Sequence, residues 1–177
     1  MGPKSHALEF HNSLGDSLKH SQHGAQIKNY IENIAVNRKL NLGDHPYEFS
    51  LPDSSGTEIS LTSLKGKIIL LDFWASNCGP CRREHKNYVN IYEKYKSQGF
   101  EILSVSQDKM KNQWLKAMVK DSITWSSVWD KSMDISKYKY LVSAIPDNYL
   151  INRDGIIIGK DLRGDELRTA LSKLFGN

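Results

Sequence analysis

The chain has little cysteine: Cys78 and Cys81 are the only two among 177 residues. So small a number excludes a disulfide-rich scaffold, and it excludes a four-cysteine zinc site built from one chain. No apolar run approaches the roughly 20 residues that a membrane-spanning helix needs. No apolar segment follows Met1 in the manner of a secretory signal. If the protein is exported, we expect this sequence to be a processed or engineered form of it.

The chain also lacks a large excess of charge of either sign, because its formal net charge is only +4. No basic run is interleaved with aromatic residues, so the composition does not indicate a nucleic-acid-binding surface. Hydrophobic residues make up 39% of the chain and charged residues 25%, which is typical of folded proteins. At this length we expect one well-packed core.

Residues 1–41 are predicted to form a part of their own, a polar tail followed by an amphipathic helix. The tail contains four histidines, His6, His11, His20 and His23. No helical or strand period unites them, so we favour a polar tail over a metal-binding arm. Apolar residues between Gln26 and Leu40 follow helical spacing. We interpret residues 1–41 as an extension or as the end of an upstream segment, and residues 42–177 as the main domain.

The most informative stretch runs from Lys67 to Cys81. Its first half, Ile68 to Ala75, is nearly continuous in apolar residues and is typical of a strand buried on both faces. Its second half is Cys78-Gly79-Pro80-Cys81, and a helical pattern follows. Pro80 suits the first turn of a helix, where its missing N–H is not needed. The strand therefore delivers two cysteines to a helix N-terminus, where free backbone N–H groups and the helix dipole favour a thiolate.

A cysteine pair at this spacing can also be half of a metal site. His85 lies four residues after Cys81, but the sequence offers no obvious fourth ligand. A disulfide across so short a loop would add little stability by restricting the unfolded chain, which argues against a purely structural bridge. We therefore favour redox chemistry and keep a soft-metal chaperone using Cys78, Cys81 and His85 as the alternative.

The rest of the chain alternates strand and helix patterns. The predicted elements are a hairpin over Phe49–Leu61, a helix from Cys81 to about Ser97, a strand over Phe100–Ser106, a helix over Lys109–Lys120, a strand-like run over Thr124–Val128, a short helix over Asp134–Tyr140, a hairpin around Asn152-Arg-Asp-Gly155, and a closing helix over Asp165–Phe175. Trp114, Leu115, Met118 and Val119 are predicted to face inward. This order predicts an α/β sandwich with a mixed central sheet.

These motifs resemble those of the thioredoxin superfamily, in particular the TlpA/ResA-like thiol–disulfide oxidoreductases of Bacteroides-type bacteria. The resemblance is carried by Asp72-Phe-Trp-Ala-x-x-Cys78-Gly-Pro-Cys81, Phe49-Ser-Leu-Pro-Asp53, Gly99-Phe-Glu-Ile-Leu-Ser104, Ala144-Ile-Pro146 and Tyr149-Leu-Ile-Asn-Arg-Asp-Gly155. It covers about Leu42 to Phe175. It implies a thioredoxin-like three-layer α/β/α sandwich with a mixed central sheet, an N-terminal hairpin and a helical N-terminal extension.

The same resemblance implies roles for individual residues. Cys78 would be the attacking thiolate and Cys81 the thiol that resolves the mixed disulfide. Asp72 would be the buried carboxylate that accepts the proton of Cys81. The peptide bond between Ile145 and Pro146 would be cis, and the backbone of Ile145 would pair with an extended substrate.

The expected substrate-binding residues surround the cysteines in sequence or in the resembled fold. They are Trp74, Asn77, Gly79, Pro80, Ile145 and Pro146. Two positions depart from the family pattern, because Asn77 replaces a usual Trp and Lys86 replaces a usual Pro. We expect these departures to affect the choice of partner. We also expect Arg82, Arg83 and His85 to favour the thiolate and make the pair less reducing than thioredoxin.

The sequence thus predicts a thiol–disulfide oxidoreductase that works outside the cytoplasm, such as in the periplasm, and reduces disulfides of partner proteins. A second redox protein would recharge the cysteine pair. We expect no organic cofactor, no resident metal, no nucleic-acid partner and no transmembrane segment in this chain. A thiol peroxidase is disfavoured because no separate peroxidatic cysteine is present.

Overall fold

The computed structural model describes residues 12–21, 23–24 and 38–176. Within them, the strands are β1 (Ser50–Pro52), β2 (Glu58–Ser60), β3 (Ile68–Trp74), β4 (Phe100–Ser106), β5 (Ser126–Trp129), β6 (Asp147–Ile151) and β7 (Ile157–Lys160). The α-helices are α1 (Asp16–Lys19), α2 (Gly79–Tyr95), α3 (Lys111–Lys120) and α4 (Gly164–Phe175). Shorter helical segments are two 3₁₀ turns, Leu61–Leu64 and Lys96–Gln98, and a π-helical segment, Asp134–Lys139.

A five-stranded mixed sheet in the order β5-β4-β3-β6-β7 lies at the centre. Strands β3, β4 and β5 are parallel, whereas β6 pairs antiparallel with both β3 and β7. Strands β1 and β2 form the predicted hairpin as a separate two-stranded sheet. This arrangement of a mixed sheet with helices confirms the predicted thioredoxin-like α/β fold.

Strand β3 is buried along its whole length, and its alternate side chains enter two different cores. Ile69, Leu71 and Phe73 pack in a core with the β1–β2 hairpin and the segment around Tyr140; we call this side of the sheet the hairpin face. Ile68, Leu70 and Trp74 pack towards α2, α3 and α4, and we call this side the helix face. The hairpin face is covered by the hairpin and short helical turns, and the helix face by the long helices.

Helix α2 begins two residues earlier than predicted, at Gly79, with Cys78 as its N-cap. Its end matches the prediction closely, because the helix and the 3₁₀ turn after it end at Gln98, with Gly99 as the C-cap. Gly99 has a φ of +92°, a left-handed conformation that glycine adopts without a steric penalty. The chain then enters β4 directly.

One predicted core position is wrong. Val119 of α3 is 83% exposed, whereas Trp114 and Ala117 are the buried residues of that helix. The buried stripe of α3 therefore runs through positions 114 and 117, three apart, and Val119 lies on the opposite side. Leu115 and Met118 are half-buried at the edge of this stripe.

Residues 38–44 pack against the hairpin face, although the predicted domain boundary lies at 41/42. Leu40 is buried there, and the backbone of Gly43 donates to the carbonyl of Ile157 at 2.8 Å. Most of the predicted helix over residues 26–40 lies outside the described residues, so the division at 41/42 stays a prediction. In the described part of the chain, no helix has the length and apolarity needed to span a membrane.

Candidate active site

Cys78 and Cys81 are joined by a disulfide at the N-terminus of α2, with their Cα atoms 5.3 Å apart. The backbone N–H of Cys81 donates to the Sγ of Cys78 at 3.2 Å. The first N–H groups of a helix have no partner within the helix, and they carry the positive end of its dipole. The sulfur of Cys78 therefore lies where a thiolate is stabilised after reduction.

The exposure of the two sulfur-bearing residues is unequal and small. Cys78 is 9% exposed and Cys81 is 1% exposed. Cys78 was expected to be accessible, but only a small part of this residue reaches solvent. Its sequence neighbours Asn77, Gly79 and Pro80 are all exposed. Of the two cysteines, Cys78 is therefore the one that a partner reaches more readily.

The peptide bond between Ile145 and Pro146 is cis, as the resemblance implies. Both residues are half-buried, and Ile145 packs against the cluster that contains Cys78 and Cys81. Arg163 donates to the carbonyl oxygen of Pro146 at 2.8 Å. The structure thus brings the loop at 145–146 next to the cysteines, although they are more than sixty residues apart in sequence.

Trp74 does not lie where a substrate-binding residue would. Its side chain is fully buried, and in the described part of the chain its Nε1 has no hydrogen-bond partner. Its ring packs edge-on against the ring of His85, with 4.5 Å between centroids. We therefore place Trp74 beneath the disulfide as a packing residue and remove it from the expected partner surface.

Asp72 is 1% exposed and faces the helix face from the middle of β3. It belongs to a polar row that crosses the sheet, because strand register places Ser104 of β4 and Asn148 of β6 directly beside it. The Ser104 hydroxyl donates to Asp72 Oδ2 at 3.4 Å, and the Tyr88 hydroxyl donates to Oδ1 at 3.5 Å. A buried carboxylate needs such donors to offset its lost hydration.

The position of His85, buried between two carboxylates, was not predicted from the sequence. It is fully buried, with Nε2 3.4 Å from Asp72 Oδ2 and Nδ1 3.4 Å from Asp121 Oδ2. A signal existed in the sequence, since position 85 lies on the same buried stripe of α2 as Cys81 and Tyr88. What the sequence could not provide was Asp121, which comes from the far end of α3.

Arg82 also differs from expectation. Its guanidinium forms a two-point ion pair with Asp121, at 2.8 and 2.7 Å, so its charge is already balanced. Burial raises the pKa of Asp121, but the hydrogen bond and charge of Arg82, with a smaller contribution from His85, hold that pKa below its usual value. Arg82 therefore fixes an anionic Asp121 beside His85, and its effect on the Cys78 sulfur is weaker than a free cation would give.

The alternative of a soft-metal chaperone gains no support from this geometry. Both ring nitrogens of His85 face carboxylates, and Cys78 and Cys81 are bonded to each other. Within residues 12–21, 23–24 and 38–176, no group of three or more His, Cys, Asp or Glu side chains is arranged to hold a metal ion.

Comparisons with known proteins identify the family. Residues 42–160 match the AhpC/TSA family. The thiol-disulfide oxidoreductase ResA of Bacillus subtilis (strain 168) is 32% identical over 125 residues, which cover 71% of this chain and 69% of ResA. ResA of Bacillus thuringiensis subsp. konkukian is 31% identical over 136 residues, covering 76% of this chain and 77% of that protein.

Solved structures give the same result. The thioredoxin domain of a thiol-disulfide oxidoreductase from Bacteroides vulgatus superposes with a TM-score of 0.73 at 32% identity, covering 77% of this chain and 99% of that domain. A thiol:disulfide interchange protein from Bacteroides sp. superposes with a TM-score of 0.72 at 31% identity, covering 78% of this chain and 92% of that one.

Proposed function

The chain belongs to the AhpC/TSA family and is a thiol–disulfide oxidoreductase, and on that premise we propose that it reduces disulfides in partner proteins. The observation that carries this proposal is the position of Cys78. Its Sγ accepts the first-turn N–H of Cys81, and Cys78 is the more exposed of the two cysteines. A helix N-terminus that stabilises a thiolate at this cysteine suits attack on an incoming disulfide.

The exchange proceeds in two displacements. The reduced pair begins with Cys78 as a thiolate, which attacks one sulfur of the partner disulfide and expels the other sulfur as a thiolate. Cys81 then loses its proton to Asp72, and its sulfur attacks the Sγ of Cys78. This second displacement releases the remaining partner sulfur as a thiolate. The partner has gained two electrons, and the cysteines form the disulfide seen in the structure.

Substrate docking uses the exposed rim around Cys78. The proposed docking residues are the exposed Asn77, Gly79 and Pro80 together with Ile145 and Pro146, of which Ile145 packs against the cysteine cluster. The backbone of Ile145 would pair with an extended segment of the partner and hold its sulfur in line with Cys78. Main-chain pairing of this kind accepts many sequences, which suits an enzyme that serves several partners.

The proposed setting is extracytoplasmic, with a second redox protein restoring the dithiol. Structural disulfides persist mainly in oxidising compartments, so protein substrates for this chemistry are found there. The resemblance to extracytoplasmic TlpA/ResA-like proteins and the similarity to ResA support the same setting. No bound cofactor is required, because the two sulfurs carry both electrons.

The test combines the redox potential of the Cys78–Cys81 pair with an assay of disulfide reduction. The pair is equilibrated with glutathione buffers, and reduction of insulin disulfides is followed for wild type and Cys78→Ser. We expect a potential between about −270 and about −180 mV, the values of thioredoxin and protein disulfide isomerase. We expect no reduction above background with Cys78→Ser. Insulin reduction that survives in Cys78→Ser would contradict the proposal.

A further inference from the structure

His85 is a buried histidine with a carboxylate at each ring nitrogen. Asp72 and Asp121 are both 3.4 Å from it, at the long end of hydrogen-bond distances. A neutral imidazole has one N–H and so satisfies only one of the two carboxylates as a donor. The other contact needs a further proton, either on the second ring nitrogen or on the facing carboxyl group.

Arg82 determines which group carries the proton between His85 and Asp121. The two-point ion pair between Arg82 and Asp121 keeps Asp121 anionic, so the Nδ1 of His85 carries the hydrogen that faces it. The second proton therefore belongs to the contact between Nε2 and Asp72. That contact joins His85 to the carboxylate expected to deprotonate Cys81.

We propose that His85 is a positioning residue that shares with Asp72 the proton released by Cys81. This inference rests on the proposed function. As Cys81 attacks Cys78, the S–H proton of Cys81 passes to an oxygen of Asp72. From there it moves to the lone pair of His85 Nε2, which leaves Asp72 anionic again and His85 as an imidazolium. When the pair is reduced, the proton returns by the same two transfers to the sulfur of Cys81.

Charge balance favours this destination for the proton. Before the transfer, the buried group of Asp72, His85, Asp121 and Arg82 has two negative charges and one positive charge. After the transfer the imidazolium lies between two carboxylates, and the four groups are neutral in total. Neutralising a net charge is worth more in a buried, weakly polarisable site than at the surface.

The geometry limits where else the proton can go. His85 is one helical turn after Cys81 on the same buried side of α2. Tyr88 also faces Asp72, but burial raises its pKa well above the usual value, so it stays a neutral donor. Towards solvent the next groups are Asp121 and Arg82, whose side chains are 6% and 24% exposed. The hydrogen bond and charge of Asp121, with a smaller contribution from the charge of Asp108, raise the pKa of Arg82 against the opposing effect of burial.

The first measurement uses the wild-type chain and needs no substitution. Nitrogen NMR of the imidazole rings, in the oxidised and reduced forms from about pH 5 to about pH 9, reports which ring nitrogens of His85 are protonated. We expect His85 to carry two ring protons in the oxidised form and one in the reduced form at the same pH. A ring that keeps one protonation state throughout, identical in both forms, would overturn the proposal.

The second measurement isolates the resolving step. A small aromatic thiol is first linked to Cys78, and its release by Cys81 is followed in one turnover. His85→Gln can still donate to Asp121 but cannot take up a proton. We expect it to slow release by about tenfold near neutral pH, less than the ~10²- to 10⁴-fold expected when a direct proton acceptor is lost. The pH profile of release should also shift, while alkylation of the reduced Cys78 stays within about twofold of wild type.

The matched control is His45→Gln, because His45 is exposed and contacts the carbonyl of Gly155 instead of the site. Asp121→Asn gives an independent perturbation if His85→Gln fails to fold, and it should shift the pH profile in the same way. Release with the wild-type rate and profile in a folded His85→Gln or Asp121→Asn would reduce His85 to a packing residue. Failure of wild type to release the thiol would instead contradict the proposed function itself.

Discussion

Two buried aspartates, Asp72 and Asp147, lie on opposite faces of the same sheet and have opposite surroundings. Asp72 faces the helices and has Ser104, Tyr88 and His85 at its oxygens. Asp147 lies opposite Phe73 in the strand register and therefore on the hairpin face. There its Oδ1 has no hydrogen-bond partner among the described residues.

The difference shows how one fold uses buried charge in two ways. Burial and the nearby Asp161 raise the pKa of Asp147 to about 6, while Lys39, Lys160 and Arg163 oppose the shift. Asp72 instead belongs to a hydrogen-bonded row that leads through His85 to Arg82. We infer that Asp72 serves the chemistry of the cysteines and that Asp147 is a cost to stability. The predictions below test this contrast in order of expected effect.

Asp72→Asn should give the largest effect, on activity. The amide keeps the shape of the side chain but cannot accept the proton of Cys81, so we expect the resolving step to slow by about 10²- to 10⁴-fold. Stopped-flow measurement of thiol release from Cys78 tests this. Asp165→Asn is the control, because that side chain is 92% exposed. Release at the wild-type rate from folded Asp72→Asn would remove Asp72 from the mechanism.

Asp147→Asn should instead increase stability, and only above a certain pH. The folded-state pKa of about 6 is above the usual value of 3.8, so the folded state binds more protons than the unfolded state between them. Wild-type stability should therefore fall as pH rises from about 4 through about 6. The variant lacks this loss and should gain at most about 3 kcal/mol at neutral pH.

Urea unfolding of both chains at several pH values measures that gain. The two curves should coincide below about pH 4 and separate steadily up to about pH 7. The exposed Asp165→Asn serves as control here as well. A variant that is less stable than wild type at neutral pH would show that the ionised Asp147 is satisfied in a way that our account omits.

Ser104→Ala should have an intermediate effect on stability. Its hydroxyl accepts from Trp125 Nε1 at 2.8 Å and donates to Asp72, so its removal leaves a buried indole N–H unpaired. We expect the free energy of unfolding to fall by about 1–3 kcal/mol. Ser55→Ala, in the exposed β1–β2 turn, is the comparison variant. Equal losses in both variants would mean that the polar row contributes nothing special.

Val119→Lys should give the smallest effect. The sequence predicts an inward-facing valine, but the structure leaves it 83% exposed on α3. A surface substitution of this kind should change the free energy of unfolding by less than about 0.5 kcal/mol. The neighbouring Ala117→Leu should cost about 1–3 kcal/mol, because Ala117 is buried against Trp114. Thermal or urea unfolding of the two variants decides which residue faces the core.

Local sequence patterns were sufficient for the elements that lie near one another in the chain. The apolar run before Cys78, Pro80 in the first helical turn and Gly99 after α2 all have local physical causes. The strands and helices predicted between Phe49 and Phe175 are present, with the segment Asp134–Lys139 π-helical. Val119 failed because a ten-residue helix with several apolar residues allows more than one buried stripe. Periodicity alone could not choose between them.

The site was only partly predictable, because its remaining contacts depend on strand register and on distant chain segments. Nothing near Asp72 in sequence indicates that Ser104 and Asn148 lie beside it, since that follows from the pairing of three strands. The pairing of His85 with Asp121 joins residues 36 positions apart. The burial of the disulfide depends on Trp114 and Ile145, which reach it from elsewhere in the fold.

The most direct test of the central claim is covalent trapping at each cysteine in turn. Each reduced single-cysteine variant is mixed with a disulfide-containing protein, and the linked product is located by mass spectrometry of its peptides. The account predicts that Cys81→Ser accumulates a mixed disulfide through Cys78, whereas Cys78→Ser accumulates almost none. Efficient trapping through Cys81 in Cys78→Ser, or none through Cys78 in Cys81→Ser, would contradict it.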